Sequence, residues 1–259
     1  MRRRIIAVAN QKGGVGKTTT TVNLATALAA IRKKVLLVDF DPQGNATTSL
    51  GIDFQSRYPG IYEFMSGEFS LSVICRQTYI PNLYILPSSP DLSGAEVELV
   101  NTQNREKQLK DKLGNLDFEY VLIDCPPSLG LLTINALTAA DSVLVPLQCE
   151  YFALEGLSQL LKTIKHIRTL YNPSLELQGI VMTMFDGRNA LNQSVIDDVR
   201  HHMKETVYQT IIPRNIRVSE APSHGKPVLI YDMRSSGAQA YIRLASEIIR
   251  QERRRQYAA

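Results

Sequence analysis

This sequence predicts an α/β fold: a doubly wound, mostly parallel sheet flanked by helices. Three observations predict it. Short, almost wholly apolar runs alternate along the chain with stretches of helical composition, as expected of strands buried on both faces and joined by crossover helices. The first apolar run leads into a glycine-rich loop, and the loop leads directly into a helical stretch. No internal repeat, low-complexity tract or Gly/Ser/Pro-rich linker divides the 259 residues, so residues 1–259 read as one domain.

The elements follow in order. RIIAVAN, from residue 4, is the first strand and stops at the glycine loop. KTTTTVNLATALAAI, from Lys17, places Val22, Leu24, Ala25, Leu28 and Ala29 at helical spacing. KKVLLVDFD, from Lys33, is a second buried strand that ends in acids. Residues 51–80 are the least regular part and read as surface loops and short helices. NLYILPSS, from Asn82, is a third strand. FEYVLIDCPP, from Phe118, is a fourth, stopped by Pro126 and Pro127. ADSVLVPLQ, LQGIVMTMFD and the short TIIPRN are the fifth, sixth and seventh. Helices are expected near 104–114, 130–140, 154–170, 190–206 and 236–255, with a basic tail over 251–259.

Composition narrows the class of function. Apolar residues make up 44% and charged residues 21%, ordinary for a globular protein. No run of 18 apolar residues is present, so no membrane span is expected. The basic MRRR lead-in is followed by too short an apolar run for a signal-peptide core, and a cytoplasmic location is expected. Three cysteines without C-x-x-C spacing, and four scattered histidines, argue for reduced thiols and against a zinc site. Net charge is +4 and uneven: residues 1–150 hold 14 Lys and Arg against 15 Asp and Glu, the remainder 15 against 10. That excess permits a polyanion-binding face in the C-terminal half.

The chemistry concentrates in NQKGGVGKTTTT, from Asn10. Gly16, Lys17 and Thr18 close the phosphate-loop pattern G-x-x-x-x-G-K-[ST], but Gln11 stands where its first glycine belongs, and Lys12 is a lysine the pattern does not ask for. Gly13, Gly14, Val15 and Gly16 form a loop that can turn successive N–H groups toward one phosphate. The helix that follows adds its positive end. Lys17 supplies charge to the β- and γ-phosphates, the Thr18 hydroxyl can hold Mg²⁺, and Thr19 reaches the α-phosphate. Asp124, at the end of a strand, has the place of a second acid on the metal side. VDFDPQGN offers Asp39 and Asp41. Asp41, farther from its strand, is the candidate to orient an attacking water and to assist the metal, and Asp39 supports the site.

Together, KGGVGKTT, DFDPQGN and IDCPPSLG resemble the deviant Walker-A P-loop ATPases. TINALTAADSVLVPLQCEYFALEGLSQLL and IIPRNIRVSEAPSHGKPVLIYDMRSSGAQAY are similar to the ParA/Soj chromosome- and plasmid-partitioning branch. The resemblance runs from about residue 4 to 250. It implies an ATP- and Mg²⁺-dependent hydrolase that forms a homodimer around two nucleotides. Lys12 would cross to the partner's phosphates, and Gly13 would lie at the dimer contact. It further implies nonspecific binding of double-stranded DNA through Arg188 and Arg217, with Arg214 and the RQERRR tail as candidates to extend the patch. Pro213 and Arg214 would lie near the adenine, a ParB-type DNA-bound partner would stimulate hydrolysis, and the protein would associate with the nucleoid.

Three other readings compete. A MinD-like membrane-cycling ATPase needs a C-terminal amphipathic helix with large apolar residues. Here SEIIRQERRRQYAA offers Ile248, Ile249 and then only Tyr257. A nitrogenase-type iron protein needs two cluster cysteines per subunit, and neither Cys125 nor Cys149 has that spacing. A metabolic P-loop enzyme would need an acceptor pocket, and no motif marks one.

Overall fold

The structure is a computed structural model that describes residues 3–114 and 116–258, with side chains through Arg255. Eight strands form one sheet: β1 (Arg4–Val8), β2 (Val35–Asp39), β3 (Arg76–Gln77), β4 (Leu83–Leu86), β5 (Tyr120–Asp124), β6 (Ser142–Gln148), β7 (Glu176–Phe185) and β8 (Val207–Pro213). Their order is β3-β4-β2-β5-β1-β6-β7-β8. Every neighbouring pair is parallel except β3 with β4. All seven expected strands are present. The eighth, β3, is a two-residue antiparallel edge without an apolar pattern.

Why the central strands read as continuous apolar runs is clear from their two faces. Along β1, Ile5 and Ala7 point into one core while Ile6 and Val8 point into the other; in β5, Val121 and Ile123 alternate likewise with Tyr120 and Leu122. Alternate residues enter opposite faces of a strand, and both faces here are covered. The helices Lys17–Ala30 and Ser236–Ala258 pack on one face, the first with eleven of its 14 residues buried. The helices Leu92–Leu99, Gln108–Leu113, Leu131–Ala139, Ala153–Leu170 and Ala190–Met203 cover the other.

The segment 51–80 holds a 3₁₀ turn at Gln55–Arg57 and the short helices Ile61–Ser66 and Leu71–Ile74. Five of its apolar side chains enter the core, Ile61, Phe64, Met65 and Ile74 on one face of the sheet and Ile80 on the other. The basic tail continues the last helix as far as Ala258, and residue 259 lies outside the described residues.

Topology places the site. From β1 the chain crosses to β2 on one side, returns through β5 and then builds β6, β7 and β8 on the other. The strand order therefore reverses at β1, and ligands of open parallel sheets lie beyond the carboxyl ends of strands at such a point. Register aligns those ends, since Val8 and Asp39 both pair with Asp124.

Candidate nucleotide site

The loop between β1 and the helix Lys17–Ala30 is held from both sides. Asn10 donates from Nδ2 to the Pro146 carbonyl at 2.8 Å and accepts the Lys12 N–H at Oδ1, 3.1 Å. The Thr183 hydroxyl donates to the Val15 carbonyl at 2.9 Å. Gly14 and Gly16 have φ of 75° and 86°, a region that residues with a Cβ rarely adopt. Gly13 is exposed, and a Cβ placed there would meet nothing within 4 Å.

Lys17 is buried and folds back over the loop, donating from Nζ to the Lys12 carbonyl at 3.0 Å. Burial lowers the pKa of its ammonium, and the nearby Asp124, Cys125 and Asp41 oppose that shift. Asp124 is fully buried and takes the Thr21 hydroxyl at Oδ1, 3.0 Å. Burial, with Asp39 adding to it, pushes this carboxyl up to about 8, against hydrogen bonds from Thr18 and Thr21. Asp39 is also raised by burial, although it accepts both the Thr47 N–H at 2.8 Å and the Thr47 hydroxyl at 2.6 Å.

Asp41 opens a tight turn. Its Oδ1 accepts the Gln43 N–H at 3.0 Å, and its carbonyl accepts the Gly44 N–H at 2.9 Å and the Ser88 hydroxyl at 2.8 Å. Ser88 also donates its N–H to Thr47 Oγ1 at 3.0 Å. The acidic loop after β2 is thus tied to the end of β4.

A magnesium ion fits this arrangement on one observation: Asp124 Oδ2 is buried with no hydrogen-bond partner. No group of three His, Cys, Asp or Glu among the described residues could hold a metal by itself. That suits Mg²⁺, which takes one or two protein oxygens and completes its shell with water and phosphate. Thr18, Asp124 and Asp41 are the residues able to serve.

Beside the loop opens a cavity of about 520 Å³, walled by Gly16, Thr19, Pro213, Arg214, Glu220 and Tyr241 among others. Its size is that of a small-molecule site, and Gly16 and Thr19 join it to the phosphate loop. Lys12 forms an ion pair with Glu150 just past β6.

The two arginines expected on a polyanion face follow β7 and β8. Arg188 is exposed and grips Asp186 with two hydrogen bonds, of 2.9 and 2.8 Å. Arg217 is paired with Glu220 at 3.0 Å and with Asp232 at 3.6 Å. The tail does not extend this patch. Arg255 binds Glu176, the first residue of β7, about 30 Å of strand from the end that carries Arg188. The last helix buries Ala238, Tyr241, Leu244 and Ile248 against the sheet, so its apolar face is already covered. No helix among the described residues is long and apolar enough to cross a membrane. Cys125 and Cys149 are free and buried, and burial raises both thiols.

Sequence reasoning missed Asn10, Thr21, Thr47, Ser88, Glu150, Thr183 and Glu220. All but Glu220, whose partner Arg217 is three residues away, act on a partner distant in sequence. Only Thr47 carries a local signal, as a hydroxyl residue in the short helix Asn45–Ser49 after the acidic loop.

Comparison with known proteins agrees with this geometry. A family model described as an AAA domain matches residues 3–177. The chromosome partitioning protein ParA of Caulobacter vibrioides is 55% identical over 260 residues, covering 99% of this chain and 97% of its own. The sporulation initiation inhibitor protein Soj of Bacillus subtilis is 52% identical over 247 residues, covering 95% and 98%. Among solved structures, a cobyrinic acid a,c-diamide synthase from Mycobacterium smegmatis with bound ADP and magnesium superposes with a TM-score of 0.85. It is 40% identical and covers 97% of this chain and 96% of its own. The cell division ATPase MinD of Pyrococcus furiosus superposes at 0.80 with 27% identity, covering 96% and 100%. A glycine loop at the β1 switch point, acids at the ends of β2 and β5, and near full-length identity above half all lead to one assignment: the chain belongs to the ParA/Soj family of chromosome-partitioning P-loop ATPases.

Proposed function

We propose that this protein hydrolyses ATP with Mg²⁺, closes into a dimer around two nucleotides, and in that state binds double-stranded DNA without sequence preference. A ParB-type partner resets it by stimulating hydrolysis, and the protein is nucleoid-associated. The observation that carries the reading is the cluster at the carboxyl ends of β1, β2 and β5. There a buried Lys17, a fully buried Asp124 with an unpartnered oxygen and the turn at Asp41 converge beside a nucleoside-sized cavity.

The roles follow from position. The N–H groups of Gly13 to Thr19 cradle the phosphates, and Lys17 leaves the Lys12 carbonyl to meet them. Thr18 and Asp124 would hold Mg²⁺, which would supply positive charge against the phosphates. Asp41 sits at the water side and orients the nucleophile. Pro213 and Arg214 wall the base. Lys12 is exposed on the rim of the loop. From there it reaches a second copy's phosphates, and the bare face at Gly13 lets that copy approach.

Two results are expected. Asp41→Ala should slow hydrolysis by about 10²-fold, the range for loss of a positioned proton-transfer group, while leaving ATP-dependent dimers intact and longer-lived. Turnover at the wild-type rate would move the water-orienting role elsewhere. Binding to a random-sequence duplex should require ATP and weaken steeply between 50 and 200 mM salt, as phosphate contacts do. Arg188→Ala and Arg217→Ala should each weaken it and flatten the salt slope by about one. Absence of DNA binding in every nucleotide state would overturn the DNA reading. The 40% identity to a protein named a diamide synthase makes ATP-driven carboxylate amidation the second reading. Phosphate release that requires a carboxylate acceptor and an ammonia donor, and that ignores DNA, would favour it.

A further inference from the structure

Arg217 is not free to meet a phosphate. Its NH1 donates to Glu220 Oε2 at 3.0 Å, and its Nε lies 3.6 Å from Asp232 Oδ2. The same Glu220 oxygen accepts the Tyr231 hydroxyl at 3.3 Å, and the Tyr231 ring stacks on His224 with centroids 4.9 Å apart. Glu220 is therefore held in a defined place at the end of the helix Ile216–Glu220.

Its place is unusual in one respect. Glu220 is the one acidic side chain among the described residues that wall the 520 Å³ cavity beside the phosphate loop, and Asp232 does not line that cavity. One acidic residue thus both pairs with the outward arginine and lines the cavity. An ionised carboxylate only accepts hydrogen bonds. A nucleoside brings donors, the hydroxyls of its sugar and any exocyclic amine, and these compete with Arg217 for the same oxygens.

We propose that Glu220 is a ligand-gated clasp: it holds Arg217 when the cavity is empty and yields it when a nucleoside enters. Occupancy of the cavity then changes the charge offered to DNA within a single subunit, in addition to any effect of dimerisation. The inference rests on the reading above, in which the cavity takes the nucleoside and Arg217 meets DNA. The pair is half exposed, with side chains 54% and 40% accessible. Exposed pairs of this kind are worth at most about fivefold in an equilibrium, so two clasps in a dimer contribute up to about 25-fold. That is a bias on DNA affinity and not an absolute switch.

The test uses the full chain, a random-sequence duplex at one salt concentration, and either no nucleotide, ADP or a non-hydrolysable ATP analogue. The quantity read is the ratio of DNA affinity with the analogue to affinity without nucleotide. Glu220→Gln is expected to raise nucleotide-free binding about fivefold and to shrink the ratio by a similar factor. Asp232→Asn frees Arg217 from a group outside the cavity, so it should raise binding in all states and leave the ratio unchanged. Adding Arg217→Ala to Glu220→Gln should remove the gain. Glu220→Asp, which shortens the reach to Arg217, should shift the ratio in the same direction and covers the case in which the glutamine variant folds poorly. A wild-type ratio in both Glu220 variants, or an equal loss of ratio in Asp232→Asn, overturns the clasp while DNA binding itself stands. A wild-type chain that binds no DNA in any state overturns the underlying reading and the clasp with it.

Discussion

Lys12→Ala is expected to abolish the ATP-dependent dimer while changing nucleotide affinity of the single subunit by less than about threefold, and to lower hydrolysis by 10²–10³-fold. The first half follows from position. Lys17, not Lys12, is the buried cation of the loop, and Lys12 is exposed and paired with Glu150 at the end of β6. Removing an exposed cation costs the single subunit little. Two nucleotides brought face to face concentrate negative charge where water is excluded, and there one compensating cation per subunit counts for much more. The second half follows from the usual effect of removing a single group that stabilises developing charge in a closed site. Light scattering after size exclusion, with a non-hydrolysable analogue, reads the dimer, and titration of a fluorescent nucleotide reads the affinity. A normal dimer in this variant would remove the trans role.

Asp124→Asn is expected to stabilise the nucleotide-free protein at high pH while destroying its Mg²⁺-dependent activity. The native carboxyl is pushed up to about 8, chiefly by burial and then by Asp39, whereas the unfolded value is near 4. A folded-state value above the unfolded one means that the native chain binds the proton more tightly. The group then costs nothing below about pH 4, costs progressively more as pH rises toward 8, and its full penalty is present above that. The neutral amide escapes this penalty and keeps an oxygen for the Thr21 hydroxyl. The gain should appear as an unfolding midpoint raised by at least about 2 °C at pH 9 for a chain of this size, and it should vanish near pH 4. Hydrolysis should fall by at least 10²-fold, and Mg²⁺ should no longer tighten ATP binding. Equal midpoints for variant and wild type at pH 9 would show that the buried carboxylate is already compensated. A higher midpoint together with lost activity would mark the site as one where stability is traded for function.

Much of the fold was legible before the structure. β1, β2, β5 and β6 are buried on both faces, so their apolar runs are continuous and each ends where its site residue begins. β3 was not legible, because two polar residues at an edge carry no pattern and are a strand only by pairing with Ile85 and Tyr84. The short helices Asn45–Ser49, Ile216–Glu220 and Val228–Tyr231 are likewise too brief for a 3.6-residue period to show.

The site divides in the same way. Gly16, Lys17, Thr18 and Asp124 were named from local patterns, because a phosphate loop needs consecutive backbone N–H groups and a metal-side acid needs a strand end. Those requirements are short-range and legible in the sequence alone, as is the chain order of the seven longer strands. Only the tertiary structure decided that Thr21 holds Asp124, that Ser88 fastens the turn at Asp41, that Glu150 holds Lys12 and that Glu220 stands between the cavity and Arg217. It also set the basic tail at the opposite end of β7 from Arg188. The physical reason is that a hydrogen bond or an ion pair depends on distance in space. In a sheet whose strand order reverses at β1, residues a hundred or more positions apart along the chain become neighbours at the strand ends.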